Sequence, residues 1–456
     1  MSDRHPAFTA TGSPAKKART EYFPGVSKIK YEGPESLNPL AFKYYNEDEV
    51  LMGKTMKEWL RFAVAWWHTF NGGMGTDPFS NVKTHVRSWD KDSSMETFKT
   101  RVDVAFEFYS KLGVPYYCFH DVDVSPFGDS LEEYEKNLDM LSDMMLVKQK
   151  ETGVKLLWAT QNCFSHPRYS NGAATSPHFT SFAYACAQAK KCIEIGHKLG
   201  AENHVFWGGR EGFQTALNTK VRDELDHLAA FLKMCVEHKK KIGATMQFLI
   251  EPKAREPTAH QYDYDAQTVM GFLNFYGLQK DFKINIEPNH TTLAGHDYEH
   301  CIRMSAEFGM LGSVDCNAGQ PYLGWDTDEF PSDPRKALLC MLIIVRNGGI
   351  APGGNNFDCK LRRESTDLND MFSAHIGGMD CLARGLRGAV KLIEEGHIDK
   401  AIKERYITWE TEELAKKVVA GQATLEECAA YAKKTGEPTI PSGKQEWFEQ
   451  MINRYI

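Results

Sequence analysis

Acidic residues end four successive short apolar runs in the second half of this 456-residue sequence. They are Glu251, Glu287, Asp315 and Asp358. A single acid after an apolar run often does no more than cap the next helix. Four carboxylates that face one another, however, repel strongly unless cations neutralise them. The pattern therefore predicts a divalent-metal site.

Three further residues are candidate ligands for this site. His290 follows Glu287 by three positions, and Asp326 and Asp328 stand two apart in GWDTDEFP. In an extended chain, residues with this spacing point to the same side, as two ligands of one ion should. Taken alone the pair is more typical of a solvated loop, but beside Glu287 and His290 we interpret both acids as ligands. Carboxylates favour Mg²⁺ or Mn²⁺, and an imidazole also admits Co²⁺.

Two other positions are suited to acid–base and polar catalysis. His120 in FHDVDVSP has Asp123 three residues later, and a carboxylate beside an imidazole can fix its tautomer and raise its basicity. Lys253 follows Glu251 by two positions, where its ammonium group could polarise a carbonyl oxygen. A structural hydrogen bond and a surface lysine are the commoner roles of such residues, so both interpretations depend on their surroundings.

The elements that would position these residues alternate between strand-like and helix-like patterns. Short apolar or β-rich runs occupy residues 62–67, 115–119, 154–159, 204–207, 245–250, 283–286, 312–314 and 350–357. Helical periodicity between them marks residues 94–112, 131–150, 179–199 and 221–241. Eight strands separated by helices predict a closed (β/α)8 TIM barrel, whose active site lies at the carboxyl ends of the strands. His68, Asn162 and Trp207 also follow or end predicted strands.

The pattern changes at both ends of the chain. Residues 1–30 read as a flexible leader, 31–379 as the catalytic barrel and 380–456 as a C-terminal helical arm. One face of the first arm helix carries Leu382, Leu386, Val390 and Ile393. An apolar helix face must pack against something. Either its own barrel or a neighbouring subunit can cover it, and the sequence leaves both options open.

Composition excludes several classes of protein. The hydrophobic content of 42% suits a folded enzyme, and a net charge of −7 without a basic stripe argues against a nucleic-acid partner. The eleven cysteines are scattered without CxxC spacing, which indicates reduced thiols and a cytoplasmic enzyme. No run approaches the ~20 apolar residues of a membrane span, and the first twenty residues lack the apolar core of a secretory signal.

Six segments together resemble the xylose isomerase family, in its longer-chain class. In order they are FHDVDVSP, FWGGREG, IEPK, NIEPNHTTLAGHDYEH, GWDTDEFP and GGNNFDCKLRRESTD. The resemblance extends from about Tyr31 to the C-terminal region. It implies a (β/α)8 barrel with a C-terminal arm, a homotetramer, and the interconversion of D-xylose and D-xylulose and also of D-glucose and D-fructose. Ring opening and a metal-assisted hydride shift from C2 to C1 are the implied steps.

The resemblance also implies a role for each site residue. One cation would be held by Glu251, Glu287, Asp315 and Asp358, and the second by Glu287, His290, Asp326 and Asp328. Catalytic roles fall to His120, oriented by Asp123, in ring opening and to Lys253 at the aldehyde oxygen. The substrate-binding residues would be Trp67, Thr160, Phe164 and Trp207, with Phe79 reaching into the neighbouring subunit's site. Gln320 stands where many members have an acid.

Rival functions make different predictions. Another two-metal barrel, such as a rhamnose isomerase or an abasic-site endonuclease, would share the ligands, but the acidic balance disfavours the nuclease. A barrel that binds a sugar without turnover would have lost ligands, whereas every expected ligand and His120 are present. An enediol route would need a free base over C2. The predicted cluster offers none, because its carboxylates and His290 bind metal and Lys253 is protonated.

Overall fold

Eight parallel strands form a closed barrel in the computed structural model, which describes residues 20–72 and 84–456. In order the barrel strands are Phe62–Ala65, Tyr116–His120, Lys155–Thr160, Asn203–Trp207, Gln247–Glu251, Phe282–Ile286, Leu311–Asp315 and Asn355–Phe357. Each strand pairs with the next, and the eighth pairs with the first through Phe357 and Val64. The predicted (β/α)8 fold is therefore confirmed, and every predicted strand is present.

The first and last strands are shorter than predicted. The first ends at Ala65 because the chain turns into the short helix Trp66–Phe70. The eighth begins only at Asn355, after a segment in which Gly353 lies against the seventh strand. A Cβ atom on Gly353 would lie 1.9 Å from the carbonyl oxygen of Gly312, so this close approach requires glycine.

Helices surround the barrel and follow most of its strands. Besides Trp66–Phe70, they are Met56–Leu60, Met95–Leu112, Asp121–Val124, Leu131–Thr152, Phe179–Lys198, Val221–Lys241, Ala266–Phe275, Pro288–Leu293, Tyr298–Glu307 and Pro334–Arg346, and then Leu368–Glu395, His397–Thr411, Glu413–Val419, Leu425–Thr435 and Gln445–Ile452. A 3₁₀ turn covers Pro167–Tyr169, and two small antiparallel pairs join Val50–Leu51 to Lys54–Thr55 and Gly212–Phe213 to His260–Gln261. The four predicted helices are present to within two residues at each end. Their ends follow local chemistry: Ser94 accepts a hydrogen bond from the Thr97 amide at the start of one helix, and Gly113 ends it at φ 83°.

Side chains alternate between two hydrophobic layers. Tyr116 and Cys118 of the second strand point into the barrel, where they join Leu157, Trp158 and other residues of a small inner cluster. Tyr117 and Phe119 of the same strand join the larger layer between the strands and the helices. This two-residue period fixes which residue at each strand end faces the barrel mouth.

The described part of the predicted leader, residues 20–30, includes buried side chains. Phe23, Val26 and Ile29 are buried, and the ring of Phe23 lies 5.3–5.6 Å from those of Trp89, Phe108 and Phe372. All three side chains belong to the large hydrophobic core of the barrel, so this segment packs on the rest of the fold. Residues 1–19 of the predicted leader lie outside the described part of the chain.

The predicted boundary at residue 380 lies inside the helix Leu368–Glu395. Asp380 is buried and accepts hydrogen bonds of 2.8 Å from the amides of Lys43, Tyr44 and Tyr45, which ties this helix to the barrel. The predicted apolar face of this helix therefore packs on its own chain. Beyond it, residues 399–450 include no buried residue. Among the described residues, no helix is both long and apolar enough to span a membrane.

Candidate active site and metal centre

A cavity of about 520 Å³ opens at the carboxyl ends of the barrel strands. The predicted site residues that line it are Trp67, His120, Thr160, Phe164, Trp207, Glu251, Lys253, His290, Asp315, Asp326, Asp328 and Asp358. Glu287 and Asp123 contact this set from behind. Phe79 lies outside the described residues. The structure thus brings together all the predicted site residues that it describes.

Glu287 lies at the centre of the carboxylates. One oxygen atom or ring nitrogen from each member lies within 4.8 Å of the others in three groups that share Glu287. The partners of Glu287 in these groups are Glu251 with His290, Asp326 with Asp328, and Asp315 with Asp358. A carboxylate that is shared by three groups of possible ligands is suited to bind more than one cation.

Two carboxylate oxygens of the cluster are buried without a hydrogen-bond partner among the described residues. They are Oε2 of Glu287 and Oδ2 of Asp315, although Nδ1 of His290 lies 3.2 Å from the Glu287 atom. Burial and neighbouring negative charges raise the pKa of both groups well above the usual range. Buried acceptors without donors cost free energy unless something binds them. Divalent cations fit these two atoms.

Asparagine side chains orient the carboxylates and leave these oxygens available. Asn317 donates to Oε1 of Glu287 at 2.7 Å and to Oδ1 of Asp328 at 3.0 Å. Asn356 donates to Oδ1 of Asp315 at 2.9 Å, and Asn285 donates to Glu251 at 2.7 Å. In Glu287 and Asp315, an asparagine amide thus binds one carboxylate oxygen, and the other oxygen has no hydrogen-bond partner among the described residues. This arrangement is typical of outer-shell support in metal sites.

Two other acids of the cluster, Asp326 and Asp328, each have a lysine beside them. Burial raises the pKa of Asp326, but Lys253, whose Nζ is 2.6 Å away, and His290 outweigh it and leave that pKa well below the usual range. Burial also raises the pKa of Asp328, whose Oδ2 lies 2.7 Å from Nζ of Lys360, and the nearby charge of Asp326 raises it further. Asp326 and Asp328 thus each have a lysine as counter-charge, whereas Glu287 has the imidazole of His290 beside it.

The pair Asp326 and Asp328 meets in a way that the sequence did not predict. Asp328 adopts φ 45°, so the chain is not extended there and the expected alternation does not apply. Both side chains nevertheless reach Glu287. Gln320 donates to Glu329 at 2.8 Å and does not line the cavity.

His120 is held in one orientation by Asp123. Its Nδ1 lies 2.8 Å from Oδ2 of Asp123, which also accepts the His120 amide at 2.8 Å. Burial lowers the pKa of His120, but the charge of Asp123 and its hydrogen bond outweigh burial, and the net shift is upward. Because Nδ1 donates to the carboxylate, Nε2 is the nitrogen that can accept a proton.

Aromatic rings form the walls of the cavity. The ring of Trp67 lies 4.5 Å from that of His120, and Phe164 meets Trp207 edge-on at 4.4 Å. The Lys253 ammonium lies 5.3 Å from the centre of the Trp207 ring. Thr160 donates its hydroxyl hydrogen to the carbonyl of Val205 at 2.6 Å. Flat apolar walls around a few charged groups suit a ligand with apolar faces and polar edges.

Several groups at the mouth had no role in the sequence analysis. They are His68, Asn285, Asn317, Asn356 and Lys360. Asn317 and Lys360 each follow a predicted ligand by two positions, and Asn285 precedes Glu287 by two. A distance of two positions from a predicted ligand was therefore the sequence feature that could have identified these three residues.

Known proteins match this chain over nearly its whole length. A xylose isomerase of Geobacillus thermodenitrificans is 52% identical over 435 residues, covering 95% of this chain and 97% of that protein. Those of Arabidopsis thaliana and Enterococcus faecalis are 51% and 49% identical, each over 95% of this chain and over 90% and 99% of their own lengths. A family model described as the XylA2 C-terminal domain matches residues 402–456. The solved structure of an L-ribulose 3-epimerase is matched over 68% of this chain and 95% of its own, at 15% identity and a TM-score of 0.46.

The xylose isomerases match this chain across both the barrel and the arm. The fold brings the described site residues predicted from the resemblance together at the barrel mouth. The predicted resemblance and the predicted enzyme class, an isomerase, are both confirmed. The chain belongs to the xylose isomerase family.

Proposed function

We propose that this protein interconverts D-xylose and D-xylulose, and also D-glucose and D-fructose, with two divalent cations in each subunit. The observation that carries the proposal is the convergence, in one cavity, of the His120–Asp123 pair, Lys253 and the carboxylates around Glu287. The names of the relatives support the same substrate.

The cation ligands fall into two sets that share Glu287. Glu251, Asp315 and Asp358 complete the first set, and His290, Asp326 and Asp328 complete the second. The orphaned oxygens of Glu287 and Asp315 support this assignment. Mg²⁺, Mn²⁺ or Co²⁺ would supply Lewis-acid polarisation of the sugar's oxygens. Nζ of Lys253 lies 2.6 Å from Asp326 and lines the cavity, where its ammonium can also contact the sugar.

His120 and Lys253 act on different ends of the aldose. With Nδ1 bound to Asp123, His120 accepts the proton of the anomeric hydroxyl through Nε2 as the C1–O5 bond breaks, and it returns this proton to O5, which leaves the open-chain aldehyde. Lys253 donates to the aldehyde oxygen. Burial lowers the pKa of this lysine, but Asp326 and Glu256 outweigh burial and raise it, so the ammonium stays charged.

The walls select a sugar and exclude water from it. Trp67, Phe164 and Trp207 cover its apolar faces, and Thr160 lies beside them. Phe79 of a neighbouring subunit would close the mouth in a homotetramer. The unburied arm supports such an assembly, since its exposed apolar residues include Ile402, Tyr406, Trp409 and Val419. We propose that the unburied part of the arm, residues 399–450, packs on a neighbouring subunit.

The hydrogen at C2 moves directly to C1 within the sugar in this proposal. A route through an enediol requires a base over C2. Lys253 is charged, and His290 is assigned as a ligand. Of the other two imidazoles that line the cavity, His68 bonds Asp358 through Nε2, and His120 is assigned to ring opening. The free thiols of all eleven cysteines support the expectation of a cytoplasmic enzyme.

A turnover assay tests the proposal. Metal-stripped protein is given xylose, glucose, rhamnose and other aldoses, each with Mg²⁺, Mn²⁺ or Co²⁺, and the ketose product is measured. We expect xylose to be converted with at least one of these cations. Binding of xylitol without turnover of any aldose would identify a sugar-binding protein instead. Preferential turnover of rhamnose would identify a rhamnose isomerase instead.

A further inference from the structure

Two neighbouring side chains at the end of the first barrel strand bond the same carboxylate oxygen. Nε1 of Trp67 donates to Oδ1 of Asp358 at 2.8 Å, and Nε2 of His68 lies 3.0 Å from that oxygen. Nε2 of His68 also lies 3.3 Å from Oδ2 of Asp328. His68 thus touches one acid from each proposed set of cation ligands.

The chemistry of these donors defines the role of the oxygen. An indole N–H can only donate, so Oδ1 of Asp358 must be an acceptor in the bond with Trp67. A carboxylate oxygen has two lone pairs. The bonds with Trp67 and His68 occupy both of them, and this directs a cation to the other oxygen, Oδ2.

The local fold fixes both donors in this position. The short helix Trp66–Phe70 carries them, and its two terminal rings, Trp66 and Phe70, are fully buried. The carbonyl of Phe70 also accepts a hydrogen bond of 3.1 Å from Nε1 of Trp89. Anchored at both ends, the helix presents Trp67 and His68 together to the cavity.

We propose that Trp67 and His68 form a clamp that orients the carboxylates of Asp358 and Asp328 and thereby sets the affinity of both cation sites. The clamp rests on the proposed function, since it acts on the ligands assigned there. His68 is a positioning residue and not a ligand. Because it bonds one acid from each set, it couples the two sites. Trp67 adds this role to its place in the cavity wall.

The test measures cation affinity without any sugar. Metal-stripped wild type, His68→Leu, His68→Gln and Trp67→Phe are titrated with Mn²⁺ or Co²⁺ against a chromophoric chelator. His68→Leu removes the donor, His68→Gln keeps an N–H close to the Nε2 position, and Trp67→Phe keeps the ring without its N–H. His397→Leu is the matched control, because the His397 side chain is half exposed in the arm. A thermal melt of each stripped variant checks its folding.

Loss of an outer-shell partner typically weakens metal affinity about 10–100-fold. We expect a loss of this size at both sites in His68→Leu, recovery of most of the affinity in His68→Gln, a loss at one site in Trp67→Phe, and no change in His397→Leu. If His68→Leu folds poorly, the cation affinities of His68→Gln and Trp67→Phe are compared instead, and only Trp67→Phe should show a clear loss.

Three results would overturn the clamp, and each differs from failure of the proposed function. Wild-type affinity at both sites in His68→Leu would show that the clamp does not exist, even though the enzyme still turns over xylose. Loss of one whole equivalent, with a changed Co²⁺ absorption spectrum in His68→Gln, would make His68 a ligand. A loss of cation affinity at only one site in His68→Leu would refute the coupling of the two sites. A wild-type protein that binds no cation would refute the proposed function itself.

Discussion

Glu287→Gln should shift the stability of the protein in opposite directions with and without metal. The substitution removes the central charge of the site and keeps the shape of the side chain, including the oxygen that accepts from Asn317. In the stripped protein it removes repulsion from Asp326, Asp328, Asp358 and Glu251. In the loaded protein it removes the one ligand shared by both cations.

The geometry gives the size of the first effect. One oxygen of Glu287 lies within 4.8 Å of ligand atoms on Asp326 and Asp328. Coulomb's law with an effective dielectric constant of about 20 gives roughly 3–4 kcal/mol of repulsion for two unit charges at this distance. Protonation of Glu287 relieves part of this cost, so the gain from Glu287→Gln at neutral pH should be smaller.

The stability that metal-free Glu287→Gln gains over metal-free wild type should grow with pH. Burial, Asp326 and Asp358 raise the pKa of Glu287 well above the usual range in the folded, metal-free protein. A group with a raised pKa contributes stability that is fully present below its unfolded value, about 4.3, and is lost as the pH rises through the folded value. Stripped wild type should therefore lose stability from about pH 4.3 upward, and Glu287→Gln should lose less.

Asp326→Asn is the matched control and should have the opposite effect on the stripped protein. Its carboxylate is paired with Lys253 at 2.6 Å, and both side chains are largely buried. Removing one partner of a buried ion pair typically costs ~3–5 kcal/mol. Both variants should weaken cation binding, Glu287→Gln at two sites and Asp326→Asn mainly at one.

Melting temperatures measured by scanning fluorimetry at a fixed scan rate, with EDTA and with saturating Mg²⁺, give the assay. In EDTA the expected order is Glu287→Gln above wild type above Asp326→Asn. In Mg²⁺ wild type should be the highest. If Glu287→Gln melts below wild type in EDTA at pH 8, the Glu287 charge is not a source of repulsion and the reasoning is wrong. Two normal cation sites in this variant would contradict the bridging assignment.

Four other predictions concern the proposed chemistry. EDTA should abolish turnover and lower the melting temperature, and Mg²⁺ or Mn²⁺ at 100 times its Kd should restore ~2.7 kcal/mol; full activity in metal-free protein would end the two-cation proposal. His120→Gln should slow turnover and change the preference between sugar anomers while cation affinity, measured by titration, stays normal; a loss of metal would make His120 a ligand. Asp123→Asn removes the charge that raises the pKa of His120, so the acidic limb of kcat/KM should move to lower pH, and an unshifted limb would refute this coupling. Xylose deuterated at C2 should give xylulose with deuterium at C1, measured by mass spectrometry; extensive washout into water would mean that a base, His68 or His120, removes the hydrogen.

The carboxylates at the mouth were predictable because strand ends obey a simple rule. Parallel strands in a closed barrel bring their carboxyl ends to one rim, so Glu251 and Asp315 had to meet once the strands were placed. The sequence could not give the charge pairing among them. That Asp326 is paired with Lys253, while Oε2 of Glu287 has no hydrogen-bond partner among the described residues, depends on side-chain directions that no period of the chain constrains.

Trp67 and His68 show how a small local change in structure alters a functional prediction. The predicted strand 62–67 ends at Trp67, a predicted substrate-binding residue, and His68 follows it directly without a predicted role. The chain instead leaves the strand at Ala65 and turns into Trp66–Phe70, and in this helical turn both residues line the cavity. Closure of the barrel between the eighth strand and the first then places Asp358 beside them. The proposed clamp is therefore a product of barrel closure and of one helical turn, and neither the spacing nor the composition of the first strand indicates it.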